Sequence, residues 1–240
     1  MTGPVLRAVD LSVSYGDVVA LSASSFDIAR GELVAVVGPN GAGKSSMFKA
    51  LAGFVDHGGE VVLNGEQCHH LERQAIAYIP QQSDIDVRFP ITVAEVVMAG
   101  RRRFHGRRMR PTRADALFVE ECLAQVDLAG SGDSTLATLS GGQVQRVLLA
   151  RAIAQEADVL LLDEAMSGVD LRHTDDLLSL FADLCANGTS VLVSTHDLPL
   201  VRRRFGRCIA VNGAVLGDGD PAAHLDGPHL ERLFSREAVS

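Results

Sequence analysis

Two stretches of this chain have residue types and spacings suited to holding a phosphate. The first, "GPNGAGKSS", runs Gly38, Pro39, Asn40, Gly41, Ala42, Gly43, Lys44, Ser45, Ser46 and fits G-x-x-x-x-G-K-[ST] through Gly38, Gly43, Lys44 and Ser45. Glycines there let successive backbone N–H groups point at phosphate oxygens, and a helix starting at the end of the loop adds partial positive charge. Lys44 is then placed to reach β- and γ-phosphates and Ser45 to ligate Mg²⁺. The second stretch, "LSGGQ", is Leu139, Ser140, Gly141, Gly142, Gln143. Val144, Val147, Leu148 and Ala152 follow it at helical spacing, so Ser140 and Gly142 also stand at a helix N-terminus able to bind phosphate. A chain with two such loops has one more than a single nucleotide needs.

Other residues suit the chemistry of phosphate hydrolysis. "VLLLDEA" reads as a buried strand ending in two adjacent carboxylates. Asp163 can hold the shell of a Mg²⁺ ion while Glu164, turned to the other side, polarises a water in line with the γ-phosphate. "VLVSTHD" ends a similar strand in His196, at the edge where ligands bind in parallel sheets. Alone, a histidine there is more often a surface or capping residue. Gln81, in "YIPQQ", is an uncharged amide able to bind Mg²⁺ or orient water, with Gln82 as an alternative for that role. Tyr15 precedes a turn at Gly16, where its ring could stack on adenine or simply pack.

The elements that must position these residues follow from periodicity. "VLRAVDLSVSY" and "VALSASSFDIA" alternate as half-buried antiparallel strands around Gly16-Asp17. "GELVAVVG" is apolar on both faces, as a strand covered on both sides is. "KSSMFKALAG" has helical spacing and a stop at Gly53, and "GGEVVLNGEQ" predicts a hairpin turning at Asn64-Gly65. From residue 92 to 129 the pattern is helical, with one helix entered through Pro111 and Thr112, and this reads as an inserted lobe of about residues 84–155. "ADVLLLDEA", "TSVLVSTHD" and "RCIAVNG" are strands separated by helix-like stretches, the alternation of a parallel sheet. "PHLERLFSREAVS" predicts a short amphipathic helix and a frayed end. The fold class is α/β: a mainly parallel sheet, an N-terminal antiparallel β-subdomain and an inserted helical subdomain.

The chain has 240 residues, 47% hydrophobic and 22% charged, with no long polar tract, which predicts one large globular domain. Its longest apolar runs are far short of the roughly 20 residues of a membrane-spanning helix. The N-terminus lacks the basic and apolar regions of a secretory signal, so cytoplasmic residence is the expectation. Four scattered cysteines without a Cys-x-x-Cys pair argue against a disulfide framework or a zinc knuckle. A net charge of -8 disfavours nucleic acid as a partner.

On these motifs the chain resembles the ATP-binding subunit of an ABC transporter over nearly its whole length. Tyr15 matches the aromatic A-loop of that family, "GPNGAGKSS" the Walker A loop and Gln81 the Q-loop. "LSGGQ" matches the signature, "VLLLDE" Walker B, "SGVD" at residues 167–170 the D-loop with Asp170, and His196 the switch histidine. The resemblance implies a P-loop NTPase core of RecA-like type, with ATP and Mg²⁺ as cofactors, Glu164 as base, Gln81 and His196 assisting, and Ser45, Gln81 and Asp163 around Mg²⁺. It also implies two subunits paired head to tail, each ATP lying between the Walker A loop of one and the signature of the other. That accounts for the second loop. Implied partners are integral-membrane permease subunits, a second copy of the ATPase and, indirectly, an extracytoplasmic metal-binding protein, with the chain peripheral on the inner face of the cell membrane.

Within the family, "YIPQQSDIDVRFPITVAEVVMAGR" is similar to the corresponding segment of importers for manganese, zinc and related divalent metals. Importers of iron chelates or vitamins, or a soluble ABC ATPase, are the alternatives. The sequence departs from the family at Ala165, where proline is frequent, and in "SGVD". The arginines of "GRRRFHGRRMRPTR", from Arg101 to Arg113, read as a solvated loop beside the membrane-facing lobe. Cys68, His69 and His70, with His57 nearby, lack the ligand spacing of a closed metal site.

Overall fold

The computed structural model describes residues 3–68, 75–81, 85, 87–105, 110–164 and 171–235, the side chains of residues 103, 105 and 171–173 excepted. Strands β1 (Leu6–Tyr15) and β2 (Val18–Ile28) pair antiparallel from Leu6 opposite Ile28 to Tyr15 opposite Val18. The register slips between Ala8 and Leu11, a bulge at which Asp10 adopts φ 50°. That extra residue keeps Leu6, Ala8, Leu11 and Val13 all on the buried face despite their uneven spacing. β4 (Gly58–Leu63) pairs with the other side of β1, and β5 (Glu66–Gln67) returns along β4. The turn between them is Asn64-Gly65, both at positive φ, as a tight hairpin demands. The sheet order is β2-β1-β4-β5.

A second sheet has the order β10-β9-β3-β8-β7-β6. Its strands β3 (Leu33–Val37), β6 (Ile76–Ile79), β7 (Val159–Leu162), β8 (Ser190–Thr195) and β9 (Cys208–Val211) run parallel. β10 (Val215–Gly219) is antiparallel to β9, an edge strand that the sequence reading of a mainly parallel sheet did not name. Only three residues join these strands, too few for a crossover, so a hairpin is forced.

Strand alternation divides the side chains of this sheet between two cores. Val34, Val36, Tyr78, Leu161 and Leu192 meet Met47, Phe48 and Leu51 of α1 (Lys44–Leu51) and the inner face of the antiparallel sheet. Ala35, Val37, Ile79, Leu160, Leu162 and Val193 face the opposite layer of helices. In that layer lie α2 (Val93–Met98), α4 (Arg113–Gln125), α5 (Gly141–Ala154) and α6 (Leu171–Ala186). Short helices α3 (Arg102–His105), α7 (Leu198–Arg204), α8 (Pro221–His224) and α9 (Gly227–Phe234) complete the fold. Among the described residues no helix is long and apolar enough to cross a membrane.

Helices α2 to α5 all fall in the chain between β6 and β7. Three start in reciprocal caps: Thr92 with Glu95, Thr112 with Asp115, and Ser140 with Gln143. Each hydroxyl accepts the N–H three residues on, while the later side chain accepts from the capping residue's own N–H, fixing where the helix begins.

One sequence expectation fails in this region. Arg101 is not part of a solvated loop. Its guanidinium donates to Asp115 at 3.2 Å and to the Ala154 carbonyl at 3.3 Å, pairs with Glu156, and lies over the rings of Phe104 and Phe118 at 4.1 and 4.7 Å. The end of α5 supplies negative partial charge and the two aromatics supply ring faces, so the arginine is drawn inward. Arg102, Arg110 and Arg113 are exposed as expected, and Arg107 and Arg108 lie outside the described residues. Because Asp115 is only 5% exposed, removing Arg101 takes the cation away from a buried carboxylate that then keeps its Thr112 donors. Arg101→Ala is expected to lower unfolding free energy by about 3 kcal/mol, measured by urea titration; a midpoint equal to that of the unmodified chain would contradict the internal role.

Candidate active site

β3 ends at Val37 and the chain then turns through residues 38–43 into α1. Gly41 and Gly43 take φ of 80° and 95°, a region where a side chain is strained. Space is short as well: a Cβ on Gly38 would stand 2.0 Å from the Val211 carbonyl oxygen, and one on Gly43 2.3 Å from that of Ala20. Gly43 caps α1 without a side-chain hydrogen bond, so the first turn presents its N–H groups to the loop interior. At its other end α1 closes with Gly53 N–H on Ala50 and Phe54 N–H on Lys49, the stop predicted at Gly53.

Lys44 is buried, and its ammonium donates to the carbonyls of Gly38 at 2.8 Å and Pro39 at 2.9 Å. Burial pushes its pKa below the ordinary lysine value, while Glu164 and then Asp163 pull it back. The loop thus holds a cation at its centre, facing two carboxylates from β7.

Asp163, 1% exposed, accepts from the Ser194 hydroxyl at 2.7 Å on one oxygen and from the Tyr78 hydroxyl at 3.2 Å on the other. The same Ser194 oxygen accepts the Glu164 N–H at 2.8 Å. Glu164 sits at φ 49°, unusual for a residue with a side chain and held here by that N–H contact. The left-handed turn sends consecutive residues to different places. Asp163 stays inside, and Glu164 lines the cavity beside the loop. Gln81 donates to the Ser45 hydroxyl at 3.3 Å from just beyond β6.

These parts enclose a cavity of about 360 Å³ lined by residues 40–46 with Ala20, Gln81 and Glu164. All but Ala20 were expected from the sequence. Gly38, Pro39 and Asp163 do not line it: the first two hold the Lys44 ammonium, and Asp163 is held by Ser194 and Tyr78. Tyr15, 48% exposed at the end of β1, and His196, exposed after β8, do not line this cavity. Leu139, Ser140, Gly141, Gly142 and Gln143 do not line it either; Ser140, Gly142 and Gln143 are exposed at the start of α5. Gln82, Ala165, Asp170 and His69 and His70 lie outside the described residues, and among the described ones no cluster of three or more His, Cys, Asp or Glu could hold a metal ion.

The structure adds Ser194, Tyr78 and Ala20. Ser194 is a polar residue in a strand otherwise apolar up to it, a signal available in "VLVST"; Tyr78 and Ala20 carried none.

Residues 7–167 match the sequence profile of the ABC transporter family. The chain belongs to that family. This ABC ATPase is 36% identical over 227 residues to the manganese transport system ATP-binding protein MntB of Halalkalibacterium halodurans, covering 95% of this chain and 90% of that protein. It is 34% identical over 234 residues to the zinc transport system ATP-binding protein TroB of Treponema pallidum, covering 97% and 88%. A solved ATP-binding subunit of an ABC transporter superposes with a TM-score of 0.79 at 26% identity, over 96% of this chain and 98% of that one. The chain is accordingly an ATP-binding, ATP-hydrolysing subunit of a transporter.

Ser194→Ala removes a donor from the buried Asp163 and the acceptor that holds Glu164 in its turn. A hydrogen bond to a charged group contributes about 1.5–3 kcal/mol, so kcat for ATP hydrolysis is expected to fall by about tenfold or more. Steady-state ATPase assays showing an unchanged kcat would exclude this role.

Proposed function

We propose that this chain works as a pair of identical subunits, closed by Mg-ATP and opened by its hydrolysis, to drive import of a divalent metal ion of the manganese or zinc type. The observation that carries the reading is the split of Asp163 and Glu164. One carboxylate is buried and doubly held; its neighbour faces the cavity formed by the Lys44 loop.

On this reading Lys44 and the amides of residues 40–46 bind the β- and γ-phosphates. Ser45, Gln81 and Asp163 each offer an oxygen of the kind Mg²⁺ prefers; Gln81 meets Ser45 through its amide nitrogen at 3.3 Å, so its Oε1 would have to turn inward to join the set. Mg²⁺ bound there supplies neutralisation of phosphate charge. Glu164 takes the proton of the attacking water, Tyr15 stacks on the base, and His196 contacts the γ-phosphate. The signature, Ser140 to Gln143, serves the nucleotide of the partner copy, and Asp170 is the D-loop residue of the family motif. Residues 1–240 act as one ABC ATP-binding domain, with the helical insertion of about residues 84–155 meeting integral-membrane permease subunits at the inner face of the membrane. An extracytoplasmic metal-binding protein delivers the cargo to that permease. The names of the relatives support the cargo.

Glu164→Gln is expected to lower kcat by about 100-fold or more, since general bases contribute that much, while ATP binding persists and an ATP-dependent dimer accumulates on gel filtration. Adding Ser140→Arg should abolish that dimer without loss of ATP binding. Native turnover in Glu164→Gln, or a dimer surviving Ser140→Arg, would refute the paired mechanism. For the cargo, vesicles carrying the permease and this subunit should take up Mn²⁺ or Zn²⁺ only with ATP; uptake of an iron chelate instead would redirect the assignment.

A further inference from the structure

β6 is the last strand of its sheet, and its carbonyls divide by parity. Those of Ala75 and Ile79 accept from the N–H groups of Asp158 and Asp163 on the β7 side. Those of Ile76 and Tyr78 point the opposite way, where a further strand would sit. α5 fills that place with side chains: Arg151 donates to the Tyr78 carbonyl at 3.1 Å and Gln155 to that of Ile76 at 3.1 Å.

This seam joins two functional ends. β6 leads directly into Gln81, and the Tyr78 hydroxyl holds Asp163 on the opposite side of the same residue. α5 begins at the signature, with Ser140 as its cap, and at about 1.5 Å per residue Arg151 lies about 16 Å further along. A rigid helix over that distance passes a shift at one end to the other.

Protecting a sheet edge does not require a charge; Gln155 does the same with a neutral amide. Arg151 is partly buried, burial lowers its pKa, and no neighbouring carboxylate counters that shift among the described residues. A desolvated guanidinium set on a carbonyl is a costly edge cap. Its planar fork, however, fixes direction better than a flexible amine.

We propose that Arg151 is a positioning residue that locks the far end of α5, the helix that begins at the signature, to the strand that bears Tyr78 and leads into Gln81, and so couples the two nucleotide sites of the ATPase pair. It rests on the head-to-tail pairing proposed above. Within one subunit, Tyr78 joins the two ends directly: its hydroxyl holds Asp163, placed above around Mg²⁺, and its carbonyl holds the helix whose start serves the partner's nucleotide. Arg151 is the clamp on that link.

The test uses the full chain with Arg151→Met, which keeps length and removes the donor, and Arg151→Lys, which keeps one. In the Glu164→Gln background, Arg151→Met should raise the ATP concentration for half-maximal dimer formation about tenfold or more, while affinity of the single subunit for ADP stays within about twofold. In the otherwise unmodified chain with its permease, the Hill coefficient for ATP should drop towards about 1. Arg151→Lys should recover part of both. Unchanged dimerisation and Hill coefficient would leave Arg151 an edge cap and overturn the proposal, as would an equal loss of ADP affinity. Should Arg151→Met fail to fold, Arg151→Gln, too short to reach the Tyr78 carbonyl, replaces it, and an unaltered Hill coefficient there has the same force. A dimer indifferent to Ser140→Arg refutes the pairing itself, an outcome separate from these.

Discussion

The structure turns on a buried carboxylate opposite a buried ammonium. Taking either Asp163 or Lys44 out of water costs several kcal/mol, and each is tolerated only with partners. Asp163 has two hydroxyl donors, each contributing about 1.5–3 kcal/mol, and Lys44 has two carbonyl acceptors and the opposing charges. These partners come from β6, β8 and the loop after β3, so the charges can be buried only when three strands are in register. The chemistry of the site and the order of the sheet are therefore one constraint.

That register is fixed by apolar alternation. A slip of one residue in β7 would exchange Leu160 and Leu162 for Leu161 between the two cores and turn Asp163 away from Ser194. Both faces of the sheet are covered, one by α1 and the antiparallel sheet, the other by the helical layer, so such a slip would misplace side chains on both sides at once. α1 has a double part: its apolar residues Met47, Phe48 and Leu51 lock the loop to the sheet, and its N-terminus faces the cavity.

What was legible in the sequence is what backbone geometry dictates locally. The loop of residues 38–46 needs glycine at fixed points, the hairpin needs Asn64-Gly65, and the helix entry at Thr112 follows Pro111; all leave a readable trace, whereas the reciprocal partners Asp115 and Gln143 were not read as caps. What escaped depends on groups far apart in the chain. Tyr78 and Ser194 meet Asp163 across 85 and 31 positions; Tyr78 is not unusual among its own neighbours, and Ser194 left only a polar residue at the end of an apolar run. Arg101 was misread because charge runs are usually solvated, whereas its partners Asp115, Ala154 and Glu156 come from two other helices or their ends. The antiparallel β10 escaped because a strand's direction is set by the length of its connection rather than by its own composition. Tyr15 and His196 show the reverse: each has the position its motif predicts, at a strand end, but the cavity of a single subunit does not reach it.

The reciprocal cap at Ser140 has a consequence for the rate of assembly. With the Ser140 hydroxyl on the Gln143 N–H and the Gln143 side chain on the Ser140 N–H, the first turn of α5 is ordered within the isolated subunit. A surface ordered before encounter loses little conformational entropy on contact, so association need not wait for a loop to fold. Each encounter then starts from a first turn of α5 that is already in shape.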